Sequence, residues 1–229
     1  MPDFLRTELQ FSATARSGKV SAVLLRPADA RWLLVLAHGA GAGMHHPFME
    51  AISEELASQL IATFRYHFPY MEQGGGRPDP PAALGATVRA AVQAAAEAAP
   101  DLPLLAGGKS LGGRMTSTAA SQAPLLGVQG IVFFGFPLHP PAQPSTERAR
   151  HLQSISVPML FLQGTRDKLA ELELLSPVCG DLGKRAHMHI IEGADHSFGV
   201  LKRSGRNDRD VLKELGATVA EWANRLIPP

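Results

Sequence analysis

A serine, an aspartate and a histidine lie at positions that suit nucleophilic catalysis. Ser110 is the centre of Gly108-Lys109-Ser110-Leu111-Gly112, a G-x-S-x-G pattern, and this pattern is typical of a turn that lifts a serine hydroxyl above the end of a sheet. Glycine two residues before and after the serine removes Cβ atoms that would crowd a strained turn. Because a serine hydroxyl is nearly inert until a base accepts its proton, the chemistry also needs a histidine and an acid to orient it.

Asp167 and His196 meet that need in the expected chain order. Asp167 follows the apolar run 158–162, and His196 follows the run 187–191. Since the carboxyl ends of parallel strands form the site of an open α/β sheet, we expect Ser110, Asp167 and His196 to converge at one edge. Other acids remain alternatives to Asp167, although a neighbour of the base rarely points back at its ring; they are Asp195, Glu171 and Glu192.

Two backbone N–H groups are needed to stabilise a developing oxyanion. Leu111 supplies one by position, because it directly follows the nucleophile. The glycine-rich segment 38–43 follows another apolar run, and within it we choose Ala40, with Gly41 as the alternative. His38 is expected to fix this loop structurally rather than to act as a base.

Short apolar runs alternate with helix-length segments over most of the chain, which predicts an α/β fold with a mostly parallel sheet of eight strands and helices on both faces. Period-two alternation over 8–15 and 19–25 predicts an antiparallel hairpin at the sheet edge. The remaining runs predict strands at 33–37, 61–64, 104–106, 130–134, 158–162 and 188–191. Helices are predicted at 47–59, 81–98, 111–122 and 208–226.

The same Gly108-Lys109-Ser110 could instead end a phosphate-binding loop, G-x-x-x-x-G-K-S. That motif needs glycine at position 103, where this chain has Pro103, which also lacks an N–H for a phosphate. A nucleotide-dependent enzyme is therefore a minor alternative.

Composition narrows the class of protein. The chain has 229 residues, and its 22 Lys plus Arg against 21 Asp plus Glu give a net charge of +1, so we expect a single domain over 1–229 and no electrostatic attraction to nucleic acid or anionic membranes. Met1–Gln10 lacks the unbroken apolar segment of a signal peptide, and no run reaches the length of a membrane span. The single Cys179 is expected to be a packing residue in a reducing compartment, and we expect a cytoplasmic protein.

Nine histidines leave other roles to consider. His187 and His189 share one face of a predicted strand, so a metal pair is conceivable, but no third ligand is near and surface or packing roles are favoured. His45 and His46 are expected at the start of a helix. No metal and no cofactor is predicted.

The chain resembles the α/β-hydrolase superfamily, and within it the small dienelactone-hydrolase-like members. It is most similar to a branch related to testis-expressed proteins and histone-acetyltransferase-complex subunits. The segments that carry the resemblance are HGAGAGM (38–44), FPYME (68–72), GGKSLGGRM (107–115), FPLHPP (136–141), QGTRD (163–167) and DHSFGVLKRSG (195–205). The resemblance implies an α/β-hydrolase fold with Ser110 as nucleophile, Asp167 as acid and His196 as base, and no cofactor. The dienelactone type has a cysteine nucleophile, so its substrate is not implied here.

These features predict a carboxylesterase-like serine hydrolase that acts on a small acyl compound. Only residues 135–157 separate two strands where many such hydrolases insert a cap, so no large cap is expected and short acyl chains should be preferred. Met44, Tyr70, His139 and Phe198 could line the pocket or pack its loops. The alternative is a catalytically silent interaction protein with the same fold.

Overall fold

Strands and α-helices alternate along residues 4–226, the part of the chain that this computed structural model describes. The strands are β1 (Phe4–Thr14), β2 (Gly18–Pro27), β3 (Trp32–Ala37), β4 (Ile61–Tyr66), β5 (Leu104–Lys109), β6 (Val128–Phe134), β7 (Met159–Gly164) and β8 (Ala186–Ile191). The α-helices are α1 (Pro47–Ser58), α2 (Pro69–Glu72), α3 (Pro81–Ala98), α4 (Leu111–Gln122), α5 (Leu172–Leu182) and α6 (Asp208–Asn224). Short 3-10 helices cover Glu147–Ser154, Gly183–Arg185 and Lys202–Ser204.

The strands form an eight-stranded sheet in the order β1-β2-β4-β3-β5-β6-β7-β8. β1 pairs antiparallel with β2, and β2 pairs antiparallel with β4, whereas every later pairing is parallel. The predicted hairpin and mostly parallel sheet are therefore confirmed. The carboxyl ends of β3, β5, β6, β7 and β8 lie along one edge of the sheet, and the residues that follow them form its loops.

Alternation along the buried strands separates the two faces of the sheet. In β3, Leu34 and Leu36 pack into a core with α1 and α6. Leu33 and Val35 face the opposite way, into a core with α3 and α4, and α5 covers the β6 and β7 end of that second face. Because both faces are covered, the central strands are apolar throughout rather than alternating with polar residues.

Several boundaries differ from the sequence prediction. The hairpin strands run over Phe4–Thr14 and Gly18–Pro27, longer than predicted, because ladder pairing continues beyond the alternating residues. β5 continues to Lys109 rather than ending at 106, since its glycines still pair with β6. α6 ends at Asn224 rather than 226, whereas α3 and α4 have the predicted bounds.

The connection between β6 and β7 contains only loops and the 3-10 helix Glu147–Ser154. Within the described residues 4–226, no large cap domain covers this edge of the sheet, as predicted. Within residues 4–226, no helix combines the length and apolarity needed to cross a bilayer. Residues 1–3 and 227–229 of the predicted domain 1–229 lie outside the described part, as does the start of Met1–Gln10, and the single-domain assignment stays a prediction.

Candidate active site

Ser110 lies in the tight turn between β5 and α4. Its φ of 49° and ψ of −114° place a non-glycine residue in the left-handed half of backbone space, at a cost of about 1–3 kcal/mol. A Cβ added at Gly108 would lie 2.4 Å from the Ala37 carbonyl oxygen, and one at Gly112 would lie 2.3 Å from the same atom. The two glycines of the pattern are therefore required because the turn packs against the end of β3.

A chain of hydrogen bonds joins the three residues singled out in the sequence. Ser110 Oγ lies 2.8 Å from His196 Nε2, and His196 Nδ1 lies 2.7 Å from Asp167 Oδ2. With the Nδ1 proton donated to the carboxylate, Nε2 is free to accept the hydroxyl proton of Ser110. The structure thus brings Ser110, His196 and Asp167 together at the carboxyl ends of β5, β8 and β7.

Asp167 is nearly fully buried, with 3% of its surface exposed, and it accepts further hydrogen bonds. Gln163 Nε2 donates to Oδ2 at 2.5 Å, and the Leu169 N–H donates to Oδ1 at 2.8 Å. These donors stabilise the ionised carboxylate and fix its orientation towards the imidazole. Sequence reasoning missed Gln163; the available signal was a polar side chain within an otherwise apolar strand.

The other acids considered for this position have different partners. Asp195 Oδ1 accepts the N–H groups of Ser197 and Gly199 at 2.9 and 3.0 Å, so this residue shapes the loop that carries His196. Glu171 pairs with His139, and Glu192 lies 3.4 Å from the Thr165 hydroxyl. Among these acids, the hydrogen-bond geometry favours Asp167.

The loop after β3 lies directly beside the serine. A Cβ added at Gly39 would be 3.8 Å from Ser110 Cβ. The Gly41 N–H is already donated to the Tyr70 hydroxyl at 3.1 Å, which removes the alternative oxyanion donor. Within residues 4–226, neither the Ala40 nor the Leu111 N–H has a hydrogen-bond partner, so both are free to bind an oxyanion.

His38 holds this loop, as the sequence analysis expected. Its Nδ1–H donates to the Gly39 carbonyl at 2.7 Å, and Nε2 accepts the Phe68 N–H at 3.1 Å. Burial, opposed in part by the Gly39 hydrogen bond, lowers the pKa of His38 to about 4. The ring therefore stays neutral at pH 7, as its acceptor role requires.

Lys109 has a structural contact that the sequence did not reveal. Its ammonium donates to the His196 carbonyl at 2.5 Å and lies 5.4 Å from the centre of the Phe198 ring and 5.9 Å from that of Phe48. Burial lowers the pKa of Lys109 to about 8, although Asp167 and Asp195 act in the opposite direction. Because this ammonium is held under the His196 loop, it is not presented to a phosphate, which argues against the nucleotide alternative.

A second serine–histidine contact joins α4 to the 3-10 helix Glu147–Ser154. Ser117 Oγ is 2.8 Å from His151 Nε2 and donates its own proton to the Arg114 carbonyl at 2.9 Å. Within residues 4–226, no carboxylate forms an ion pair with His151, so this pair lacks the acid that orients the base in a catalytic triad. Ser117 is also fully buried, so this pair lacks the access that a nucleophile needs.

Three further histidines and the cysteine have packing or pairing roles, whereas His187 is exposed on β8. His46 accepts the Phe48 N–H at the start of α1, His45 lies 3.2 Å from Glu50, and His189 lies 2.8 Å from Glu214. Cys179 is buried, and burial raises the pKa of its thiol to about 11. In the described part of the chain, no cluster of three or more His, Cys, Asp or Glu side chains is arranged to hold a metal ion.

The four residues considered as pocket lining are packed in the surrounding loops. Tyr70 binds the Gly41 N–H, His139 pairs with Glu171, and Phe198 stacks on Phe48 with ring centres 5.6 Å apart. Met44 is buried, with 4% of its surface exposed. These contacts favour loop packing over pocket lining for all four side chains.

Three solved structures with a similar fold carry names of hydrolases or esterases. A dienelactone hydrolase from Anabaena variabilis has a TM-score of 0.73 and 21% identity, covering 95% of this chain and 96% of that one. A lidless serine hydrolase from Xanthomonas campestris has a TM-score of 0.72 and 17% identity, with coverages of 95% and 94%. The esterase domain of a Rhodothermus marinus protein has a TM-score of 0.72 and 18% identity, with coverages of 96% and 98%.

The architecture is that of an α/β-hydrolase fold without a large cap, as predicted. Residues 30–224 match the alpha/beta hydrolase domain family, and the chain belongs to this family. Membership supports a hydrolase function. The narrower relationship to testis-expressed proteins and histone-acetyltransferase-complex subunits stays a prediction.

Proposed function

We propose that the protein is a serine-dependent carboxylic-ester hydrolase that acts through an acyl-enzyme on Ser110. The observation that carries the proposal is the continuous hydrogen-bond chain from Ser110 through His196 to Asp167. A geometry of this kind lets one imidazole accept the hydroxyl proton and later return it to the leaving group.

In the proposed mechanism, Ser110 Oγ attacks the ester carbonyl carbon while His196 Nε2 accepts its proton. The carbonyl oxygen takes the negative charge and is bound by the Ala40 and Leu111 N–H groups; such a donor contributes about 100- to 1,000-fold in rate. As the tetrahedral intermediate collapses, the C–O bond breaks and the alcohol leaves with the proton from His196. A water molecule then attacks the acyl-enzyme while His196 accepts its proton, and the carboxylic acid is released as the proton returns to Ser110. Asp167 remains ionised and orients the imidazole throughout.

A fluorophosphonate probe tests the nucleophile directly, because it reacts covalently with activated serines. We expect labelling of the purified protein at Ser110, and we expect Ser110→Ala to abolish both labelling and ester hydrolysis. Ser117→Ala is the matched control, since Ser117 also contacts a histidine but is buried in α4. Labelling that persists in Ser110→Ala and disappears in Ser117→Ala would reverse this assignment.

The second candidate, a catalytically silent interaction protein, predicts a different result in the same experiment. Wild-type protein that is folded but unlabelled, and that hydrolyses no activated ester, would support it. The complete hydrogen-bond chain favours the enzyme, because an interaction protein that performs no turnover would not need Ser110, His196 and Asp167 all to be present and connected.

The short connection between β6 and β7 supports a preference for small acyl groups. We propose that p-nitrophenyl acetate or butyrate is hydrolysed with a higher kcat/KM than the palmitate ester. A cap domain often supplies the apolar surface that buries a long acyl chain, and the β6–β7 connection contains only loops and a short 3-10 helix. A preference for palmitate would contradict this part of the proposal.

A further inference from the structure

The 3-10 helix Glu147–Ser154 packs along α4 in a defined direction. Ser117 and His151 form one contact between the two helices, at 2.8 Å. Both helices begin near the carboxyl edge of the sheet, because α4 starts directly after Ser110 and the 3-10 helix follows the loop from β6. They therefore run side by side, and residues before this contact lie closer to the active site.

Arg114 and Arg148 lie one helical turn before the Ser117–His151 contact, Arg114 on α4 and Arg148 on the 3-10 helix. Arg114 is three residues before Ser117 on an α-helix, and Arg148 is three residues before His151 on a 3-10 helix, so each shares a face with the residue after it. The Arg114 N–H donates to the Ser110 carbonyl at 3.1 Å. Arg148 Nη1 lies 3.5 Å from the carbonyl of Pro137, close to the end of β6. The backbone of Arg114 is therefore one helical turn from Ser110, and the Arg148 guanidinium lies beside the loop that follows β6.

These two arginines are partly buried and have no carboxylate partner in the described part of the chain. Within residues 4–226, neither forms an ion pair, and Arg114 Nε is buried without a hydrogen-bond partner. The nearest acid along the chain, Glu147, pairs with Arg150. Burial, and then the charge of Arg148, lowers the pKa of Arg114; burial also lowers that of Arg148. The guanidinium groups of Arg114 and Arg148 are therefore neighbouring cations that are partly desolvated, and their remaining N–H groups are free to bind an anion.

We propose that Arg114 and Arg148 form an anion subsite that binds a carboxylate carried by the substrate. This inference rests on the proposed function, because it places the subsite one helical turn from the nucleophile and so defines the substrate as an ester of a carboxylate-bearing compound. A guanidinium presents a planar fork of donors that matches a carboxylate. Bound carboxylate would supply the missing partner for the arginines and hold the ester over Ser110.

The first experiment compares esters that differ only in this charge. Mono-p-nitrophenyl adipate and its methyl ester place the carboxylate, or its neutral analogue, on the acyl side; 4-acetoxybenzoate and its methyl ester place it on the alcohol side. For one of these pairs we expect the wild-type kcat/KM to favour the anionic ester by about 10-fold or more, as charge-assisted hydrogen bonds allow. The preference should shrink as NaCl is raised, because salt screens exposed charges. No preference in either pair would overturn the proposal.

The second experiment assigns the preference to Arg148. Arg148→Gln should reduce the anionic-to-neutral ratio of kcat/KM towards one. Arg150→Gln is the matched control, since it removes the same charge from the same 3-10 helix at an exposed position, and it should keep the ratio within about 2-fold of wild type. Equal ratios in the two variants would refute a specific role for Arg148, and melting curves establish that each variant is folded.

A binding measurement separates this inference from the proposed function. Adipate should raise the Tm of Ser110→Ala, and it should not raise the Tm of the double variant with Arg148→Gln. If neutral esters are hydrolysed but neither preference nor stabilisation by adipate is seen, the subsite is wrong and the hydrolase proposal stands. If adipate stabilises in an Arg148-dependent way but no ester is hydrolysed, the subsite stands and the proposed function fails.

Discussion

Replacing Lys109 by methionine is expected to stabilise the protein at pH 7 while lowering its activity. The pKa of Lys109 falls from 10.5 to about 8 on folding, and each pKa unit corresponds to about 1.4 kcal/mol. The ionised lysine therefore destabilises the folded state by up to about 3–4 kcal/mol, and partial exposure reduces this to about 2–3 kcal/mol. Methionine has a similar length, packs against the Phe48 and Phe198 rings, and carries no charge to desolvate.

The sign of the pH dependence follows from linkage. A lysine with a lowered folded-state pKa destabilises the protein fully below that pKa, and the effect disappears as pH rises from about 8 to 10.5 and the unfolded chain also loses its proton. We expect Lys109→Met to raise the Tm by about 4–12 °C at pH 7 and to have little effect near pH 10.5. Activity should fall about 5- to 10-fold, because the His196 carbonyl loses its donor.

Thermal or urea unfolding of wild type and variant at pH 7, 8, 9 and 10.5 measures this difference. Lys213→Met, at an exposed position on α6, is the control and should show no such pH-dependent difference. The reasoning is refuted if Lys109→Met is less stable than wild type at pH 7, or if the difference between them is the same at pH 7 and 10.5. Greater stability together with lower activity would show that Lys109 positions the histidine loop at a cost in stability.

Three further predictions concern the site and its surroundings. Asp167→Asn should lower kcat by about 1,000-fold or more, because an amide no longer fixes the proton-accepting tautomer of His196; a smaller loss in steady-state kinetics would indicate another acid. Tyr70→Phe should lower kcat about 10-fold with little change in KM, because the Gly41 N–H loses its acceptor and the oxyanion loop loosens; a change confined to KM would contradict this role. Cys179 should remain unmodified by iodoacetamide at pH 8 in the native protein and react after denaturation, since burial raises its pKa to about 11; rapid native labelling would contradict the structure.

Much of the fold followed from local patterns. Apolar runs separated by helix-length segments predicted a covered, mostly parallel sheet, because strands that are buried on both faces must be apolar throughout. The bounds of α3 and α4 were predicted because proline and glycine punctuate the chain there. The length of β5 was not predicted. Gly107 and Gly108 near its end have low strand propensity, and their strand conformation depends on pairing with β6.

The positions of Ser110, Asp167 and His196 after separate strands were also readable from the sequence, because each lies in a glycine-containing turn that follows an apolar run. Parallel strands carry such turns to the same edge, so convergence was predicted without coordinates. The sequence favoured Asp167 as the acid, because a neighbour of the base rarely points back at its ring, and it left Asp195, Glu171 and Glu192 as alternatives.

The tertiary structure decided the contacts between residues that are distant in the chain. Gln163 donates a hydrogen bond to the buried Asp167 carboxylate, and Lys109 donates one to the His196 carbonyl. Arg114 and Arg148 are close enough for their charges to interact, and neither has a carboxylate partner within residues 4–226. A single sequence shows which residues end each strand or helix, since that depends on neighbours a few positions away. Side-chain direction and burial depend on how separate elements pack, and those long-range distances set the hydrogen bonds, the desolvation and therefore the chemistry of the site.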